Sequence, residues 1–410
     1  MGTHSKLLNM RLSEKKRLAL VLSGGGVKAS AFHIGVCLAL REKGFKFSGG
    51  LKGPIAAEKP GPLTFQIYVG SSAGSVISTF LAAGYSIDAV INAFVQGAKH
   101  ETPLIRSRPS DSYLRPITYR DIFSLNVQAG YPTRLLSSLF RKKPVISGGL
   151  EVLLKRGFKM NGIFTTDNLE RYLRKHVVPE NDFKNLSAEL YIVATQLNHS
   201  RKVVFGPFDE TTKTKDIKYA NYATISQAVA ASASLPPFFS PYAITNSKGK
   251  DIHFFDGEIR DTLSTHVAAD HGADLVISSY SIQPYHFNKD MGSLHEYGMP
   301  IIFNQALYQV VQQKIERHIR HQQNTRSMIN AVVGYLREAK IAEEHVEKLV
   351  DILVQRSNFN PNVDYIYIHP NPNDYEFFFA DHFSLNPKVL GSIVRTGFKS
   401  AMSSLRQYNI

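Results

Sequence analysis

The sequence has no tryptophan, a single cysteine, and fewer acidic than basic side chains. With Cys37 alone, no intrachain disulfide can form, a cysteine-based zinc site is excluded, and nothing calls for an oxidising compartment. No apolar run approaches the roughly 20 residues that a bilayer-spanning helix needs. The polar, basic start from Met1 to Lys16 lacks an apolar centre and does not read as a secretory signal. Lys6 stands where a myristoylation signal beginning at Gly2 wants Ser or Thr. Internal repeats and low-complexity linkers are missing too. These absences point to a cytoplasmic or peripheral membrane protein, with signal-free export left open.

The 410 residues suffice for one large domain with insertions, and 43% hydrophobic content suits a folded globular chain. Lys plus Arg number 48 against 34 Asp plus Glu, a net charge of +14. From Glu101 to His176 there are 14 basic and 6 acidic residues. Such charge attracts polyanions, whether nucleic acid or an anionic bilayer. Here it is interleaved with apolar residues, as in Leu135-Leu136-Ser137-Ser138-Leu139-Phe140-Arg141-Lys142-Lys143. That mixture suits a membrane interface, so peripheral contact with an anionic membrane is expected and a nucleic-acid partner is not. A buried helix with a solvated basic end accounts for the same residues.

Two glycine turns follow short apolar runs. Arg17-Leu18-Ala19-Leu20-Val21-Leu22 leads into Ser23-Gly24-Gly25-Gly26-Val27-Lys28-Ala29, and a helix is expected over about 31–43 with Ile34, Leu38 and Leu40 inward. Strand, glycine turn and helix together make an anion cradle, because successive backbone N–H groups converge. A dinucleotide fingerprint needs a third glycine where Ala29 stands, and a Walker loop needs its Lys elsewhere. An oxyanion hole is the other reading. It requires a nucleophile, and Ile67-Tyr68-Val69-Gly70-Ser71-Ser72-Ala73-Gly74 supplies Ser72 in a Gly-x-Ser-x-Gly turn that opens another helix. Taken alone, that motif equally describes a small-residue turn.

Ser72 needs a base. His266 and His271 are among 15 scattered histidines, and His266 falls within a plausible helix. Asp256 in Ile252-His253-Phe254-Phe255-Asp256-Gly257-Glu258 is delivered by an apolar run into a turn, where apolar neighbours raise its pKa. A strand-end Asp-Gly turn is also a common structural feature.

In combination, these motifs resemble the patatin-like phospholipase family. Its marks are Gly-Gly-Gly-x-Lys/Arg-Gly after a strand, Gly-x-Ser-x-Gly, and a distant Asp-Gly-Gly or Asp-Gly-Ala. Between the last two, Ala231-Ser232-Ala233-Ser234-Leu235-Pro236-Pro237-Phe238-Phe239-Ser240-Pro241 is similar to another family segment. The resemblance covers about 17–277. It implies an α/β fold with a central, mostly parallel sheet between helices, and no cofactor or metal. It further implies a Ser72–Asp256 dyad, an oxyanion hole from Gly24, Gly25 and Gly26, and Lys28 in a supporting role. The implied reaction is carboxylic ester hydrolysis in phospholipids or lysophospholipids through an acyl-serine. Acyl transfer, or lipid or partner binding on a weakened dyad, remain alternatives.

This chain departs from the pattern at Ala29 and Glu258. A carboxylate at 258 either repels Asp256 or points to solvent. The expected organisation is a flexible tail over 1–16 and a core over 17–285 with a basic lid-like insertion at about 100–165. A mainly helical region over 286–410 then packs on the core, with a return strand at about 363–368. Within it, two or three helices are expected between Ile301 and Gln355, broken near Asn324-Thr325; they form a covering layer or an oligomer surface. A helix starting near Asp167, with Glu170 at capping-box spacing, and a last helix from Asn386-Pro387 complete the reading.

Overall fold

The computed structural model describes residues 12–53, 60–94, 114–126, 161–199, 201–260, 262–289, 291–357 and 359–408. In chain order the elements are β1 (Leu18–Leu22), α1 (Gly26–Glu42), β2 (Lys46–Phe47), β3 (Thr64–Ser71), α2 (Ala73–Ala82), α3 (Ile87–Phe94), α4 (Tyr119–Ile122), β4 (Ser124–Leu125) and β5 (Phe164–Thr165). There follow α5 (Asp167–His176), β6 (Glu189–Gln196), β7 (Arg201–Phe205), β8 (Thr212–Lys213), β9 (Ile217–Ala220), α6 (Ile225–Ser232), β10 (Tyr242–Thr245) and β11 (Asp251–Asp256). The chain closes with α7 (Thr265–Asp270), β12 (Leu275–Ser279), α8 (Met299–Glu338), α9 (Glu343–Ser357), β13 (Asp364–Ile368), α10 (Tyr375–Phe379) and α11 (Pro387–Leu405).

The fold is α/β, with a large, mostly parallel sheet flanked by helices and further helices towards the C-terminus. The sheet path runs β13-β12-β1-β3-β6-β7-β9-β8. Strands β13, β12, β1, β3 and β6 are parallel. The unbroken apolar runs of β1 and β12 reflect burial on both faces, and every residue of both strands is buried. One face of the sheet packs on α1, α2 and α11, through Leu20, Phe32, Phe80, Ile277 and Ile393 among others. The opposite face meets α7 through Val21, Val69, Val193, Val267 and Val276.

The C-terminal part is built into this sheet. β13 extends it beyond β12 in register, from Leu275 opposite Asp364 to Ser279 opposite Ile368. α11 crosses α1 at two glycines. A Cβ on Gly35 would lie 2.0 Å from the Val394 carbonyl, and one on Gly397 would lie 2.1 Å from that of Phe32. Only backbone fits at this crossing.

Several expectations are revised. Residues 12–16 are part of the folded unit, not a tail: Leu12 is buried, and the Lys15 ammonium meets Asp364 at 2.5 Å. α1 starts at Gly26 rather than near Ala31, because Gly25 at φ 134° ends the turn inside the glycine motif. α8 runs unbroken through Asn324-Thr325, where Thr325 is buried and Arg326 holds Asp364 and the Val363 carbonyl. The break comes instead after Ala339, at Lys340 with φ 57°. α5 begins as expected, but Thr166 is its N-cap, and the Thr166 hydroxyl is spent on the Ala230 carbonyl at 3.0 Å. Most of the lid-like insertion, including Leu135–Lys143, lies outside the described residues.

Candidate active site

Ser72 sits where β3 becomes α2, at φ 50° and ψ −123°, a conformation that strains any residue with a Cβ. The turn is held closed by packing that only glycine permits. A Cβ on Gly70 would lie 2.5 Å from the Ser75 Cα, and one on Gly74 would lie 2.1 Å from the Leu22 carbonyl. The Ser72 N–H donates to the Ser232 hydroxyl at 2.8 Å, which in turn donates to the Val193 carbonyl at 2.6 Å. The Ser75 hydroxyl donates to the Ser72 carbonyl at 2.6 Å. Three backbone groups around one strained residue are thereby fixed.

Asp256 reaches the same place from the opposite direction. β6 pairs with β7 along one edge. Its other edge is shared: β3 runs parallel as far as Ser71 opposite Val193, and β11 runs antiparallel as far as Asp256 opposite Ala194. The two strands meet end to end on adjacent residues of β6, which brings the Asp256 carboxyl close enough to the Ser72 side chain for that side chain to lower its pKa. Gly257 follows because a Cβ there would lie 2.3 Å from the Val193 carbonyl and 2.7 Å from the Ser71 hydroxyl. Asp256 is held by the Glu258 N–H at 2.9 Å and by Thr195, whose hydroxyl donates to the Asp256 carbonyl at 3.1 Å. Burial pushes its carboxyl pKa up to about 6, against the opposing pull of the Ser72 and Glu258 hydrogen bonds.

The glycine turn after β1 lies alongside. β1 and β3 are adjacent and parallel, with Leu22 opposite Gly70, so both turns leave the sheet at one edge. A Cβ on Gly24 would lie 2.7 Å from the Ser72 Cβ, and Gly26 adopts φ 71°. The α1 N-terminus thus opens beside the serine, with its partial positive charge. Glu258 takes neither expected position. Its side chain is buried and turns into this turn, accepting the Gly24 N–H at 2.8 Å. The rise in the Asp256 pKa comes from burial.

Lys28 is buried, and its ammonium donates to the Phe378 carbonyl at 3.2 Å while lying 4.4 Å from the Phe377 ring centre. Burial lowers its pKa to about 7, with Asp374 opposing. Its backbone N–H donates to the His382 carbonyl at 3.1 Å. A C-terminal segment thus clamps the glycine turn, a contact no motif in that segment announced. Ser232, by contrast, lies in the Ala231–Pro241 segment that is similar to the family's. His266 and His271 are occupied elsewhere: His266 faces the Lys202 ammonium, and His271 bonds the Val267 carbonyl and stacks near Tyr191.

An apolar cavity of about 80 Å³ opens at Ser72, lined by Val27, Val76, Leu169, Leu235, Phe239 and Phe383 among others. Among the described residues no group of three or more His, Cys, Asp or Glu is arranged to hold a metal, and no helix is long and apolar enough to cross a membrane. The arrangement can polarise a serine hydroxyl, receive an anion beside it, and house an apolar chain. The model of the patatin-like phospholipase family matches residues 20–269. No curated protein matches the chain.

Proposed function

The chain belongs to the patatin-like phospholipase family, and from that premise we propose that it hydrolyses carboxylic esters of glycerophospholipids or lysophospholipids with Ser72 as nucleophile and Asp256 as base. The observation that carries this reading is that a strained Ser72 lining an apolar cavity stands beside the buried Asp256 carboxyl, close enough to lower its pKa. A carboxylate with pKa about 6 is ionised at neutral pH and is more basic than one in water.

Asp256 takes the hydroxyl proton as Ser72 attacks the ester carbonyl, and the oxyanion forms against the backbone N–H groups of the 24–26 turn. The proton passes to the leaving alcohol or lysolipid, and the acyl group stays on Ser72. Water then gives a proton to Asp256 and attacks the acyl-serine, and the released proton returns to Ser72. The acyl chain lies along Val76, Leu235 and Phe239, which hold no charge to oppose it. Lys28 supports the turn from behind, through its backbone bond to His382.

Ser72→Ala should reduce release of fatty acid from phosphatidylcholine and lysophosphatidylcholine micelles to background, with unchanged circular dichroism. Undiminished release by that variant would reject the assignment.

A further inference from the structure

The oxygen nearest the Gly24 N–H belongs to the protein itself. Glu258 Oε1 accepts that N–H at 2.8 Å in a buried setting. The Glu258 Cγ and the Ser72 Cβ lie 2.6 and 2.7 Å from the point where a Gly24 Cβ would stand. A carboxylate oxygen therefore occupies a donor of the glycine turn immediately beside the serine. We propose that Glu258 is a built-in inhibitor of the site, resting on the reading above in which Ser72 attacks and the 24–26 turn receives the oxyanion: its carboxylate holds the place of the reaction's own oxyanion.

The chemistry of the two occupants is the same. A carboxylate oxygen and a tetrahedral oxyanion are both anionic acceptors that seek the same N–H groups. While Glu258 stays, an incoming ester carbonyl loses the Gly24 donor. Charge developing on its oxygen also meets the Glu258 carboxyl oxygen in place of a donor. Turnover therefore requires Glu258 to swing out. Its backbone does not need to move for this, because the Glu258 N–H anchors Asp256 and its carbonyl accepts the Thr262 hydroxyl at 3.2 Å. The side chain is the moving part, and Asp256 keeps its place when it leaves.

The test compares initial rates on p-nitrophenyl butyrate for the full chain and for Glu258→Ala, Glu258→Asp and Glu258→Gln, each also made with Ser72→Ala. One oxyanion donor is worth roughly 100-fold or more in rate, so Glu258→Ala is expected to raise kcat/KM by up to about 100-fold. Glu258→Asp, one methylene too short to reach Gly24, should rise as well. Glu258→Gln still offers an amide oxygen to the same N–H and should rise least. A folded Glu258→Ala with an equal or lower rate overturns the proposal; if that variant misfolds, Glu258→Asp decides by the same criterion. Misfolding of both also overturns it, because it would make the side chain a structural support. Turnover lost in Ser72→Ala but unchanged in Glu258→Ala rejects the inhibitor and leaves the nucleophile standing. Turnover that survives Ser72→Ala rejects both.

Discussion

Replacing Asp256 by Asn should abolish hydrolysis and stabilise the protein, and both effects come from the same burial. Folding moves this carboxyl from its ordinary pKa of 3.8 to about 6 because its charged form has lost water. Between those values the folded chain holds a proton that the unfolded chain has released. Stability changes with pH as the proton count of the unfolded state minus that of the native state, so it falls as pH rises through this window. The group's contribution is fully present below about 3.8 and lost above about 6. That rise from 3.8 to about 6 corresponds to about 3 kcal/mol. Asparagine does not ionise, and its amide oxygen still accepts the Glu258 N–H, so only the Ser72 hydrogen bond, worth about 1 kcal/mol, is at risk. Asp256→Asn is therefore expected to be more stable than wild type by about 2 kcal/mol at pH 7.5. At pH 4 the two should be nearly equal. Urea denaturation of both proteins at the two pH values measures the difference, alongside ester hydrolysis. Parallel pH dependence in the two proteins, or an Asn variant less stable at pH 7.5, would refute the argument that Asp256 is an ionised group held at a cost.

The pH profile of hydrolysis should follow the same group: kcat/KM rises about tenfold per pH unit below about 6 and levels above it, and a flat profile from pH 4.5 to 8 removes Asp256 as the base. Ser232→Ala deprives the buried Ser72 N–H of its acceptor and should cost about 1–3 kcal/mol in a denaturant titration. It should also lower kcat more than it changes KM, since the turn and not the cavity is disturbed. Gly397→Ala drives a methyl into the Phe32 carbonyl and should destabilise by about 3 kcal/mol through forced separation of α1 and α11; an unchanged melting temperature would show that the crossing yields easily.

Much of the fold was legible because its signals are local. The β1, β3 and β12 runs are short, apolar and bounded by glycine or polar turns, which is how covered parallel strands read. Pro387 after Asn386 marked the start of α11, where Asn386 does accept the Lys388 N–H at 2.9 Å. Legibility failed where tertiary contacts override composition. Asn324-Thr325 looks like a helix break, yet α8 continues because Thr325 is buried there and the next residue, Arg326, is tied to β13. Leu12 sits in a polar, basic stretch whose composition says tail, and one buried leucine with an ion pair at Lys15 says otherwise.

The site divides along the same line. The Ser72 turn announces itself because its two glycines and its strand-to-helix switch lie within a few residues of sequence. Nothing in the sequence around Asp256 states that it meets Ser72: its apolar run into a turn makes it a candidate base, and the family resemblance implies the pairing. The physical reason lies in β6, whose one edge is long enough for two strands to dock in opposite directions and end on neighbouring residues, Val193 and Ala194. No window of sequence contains that information. The same geometry explains why Glu258 was misread. From sequence its carboxylate was weighed only against Asp256, two residues away, or against solvent. Docked on β6, the turn after β11 faces the turn after β1 instead, and the side chain accepts the Gly24 N–H. A substitution next to a motif is therefore best read against the element that the motif docks on, and here that element turns a surface-looking glutamate onto the Gly24 N–H.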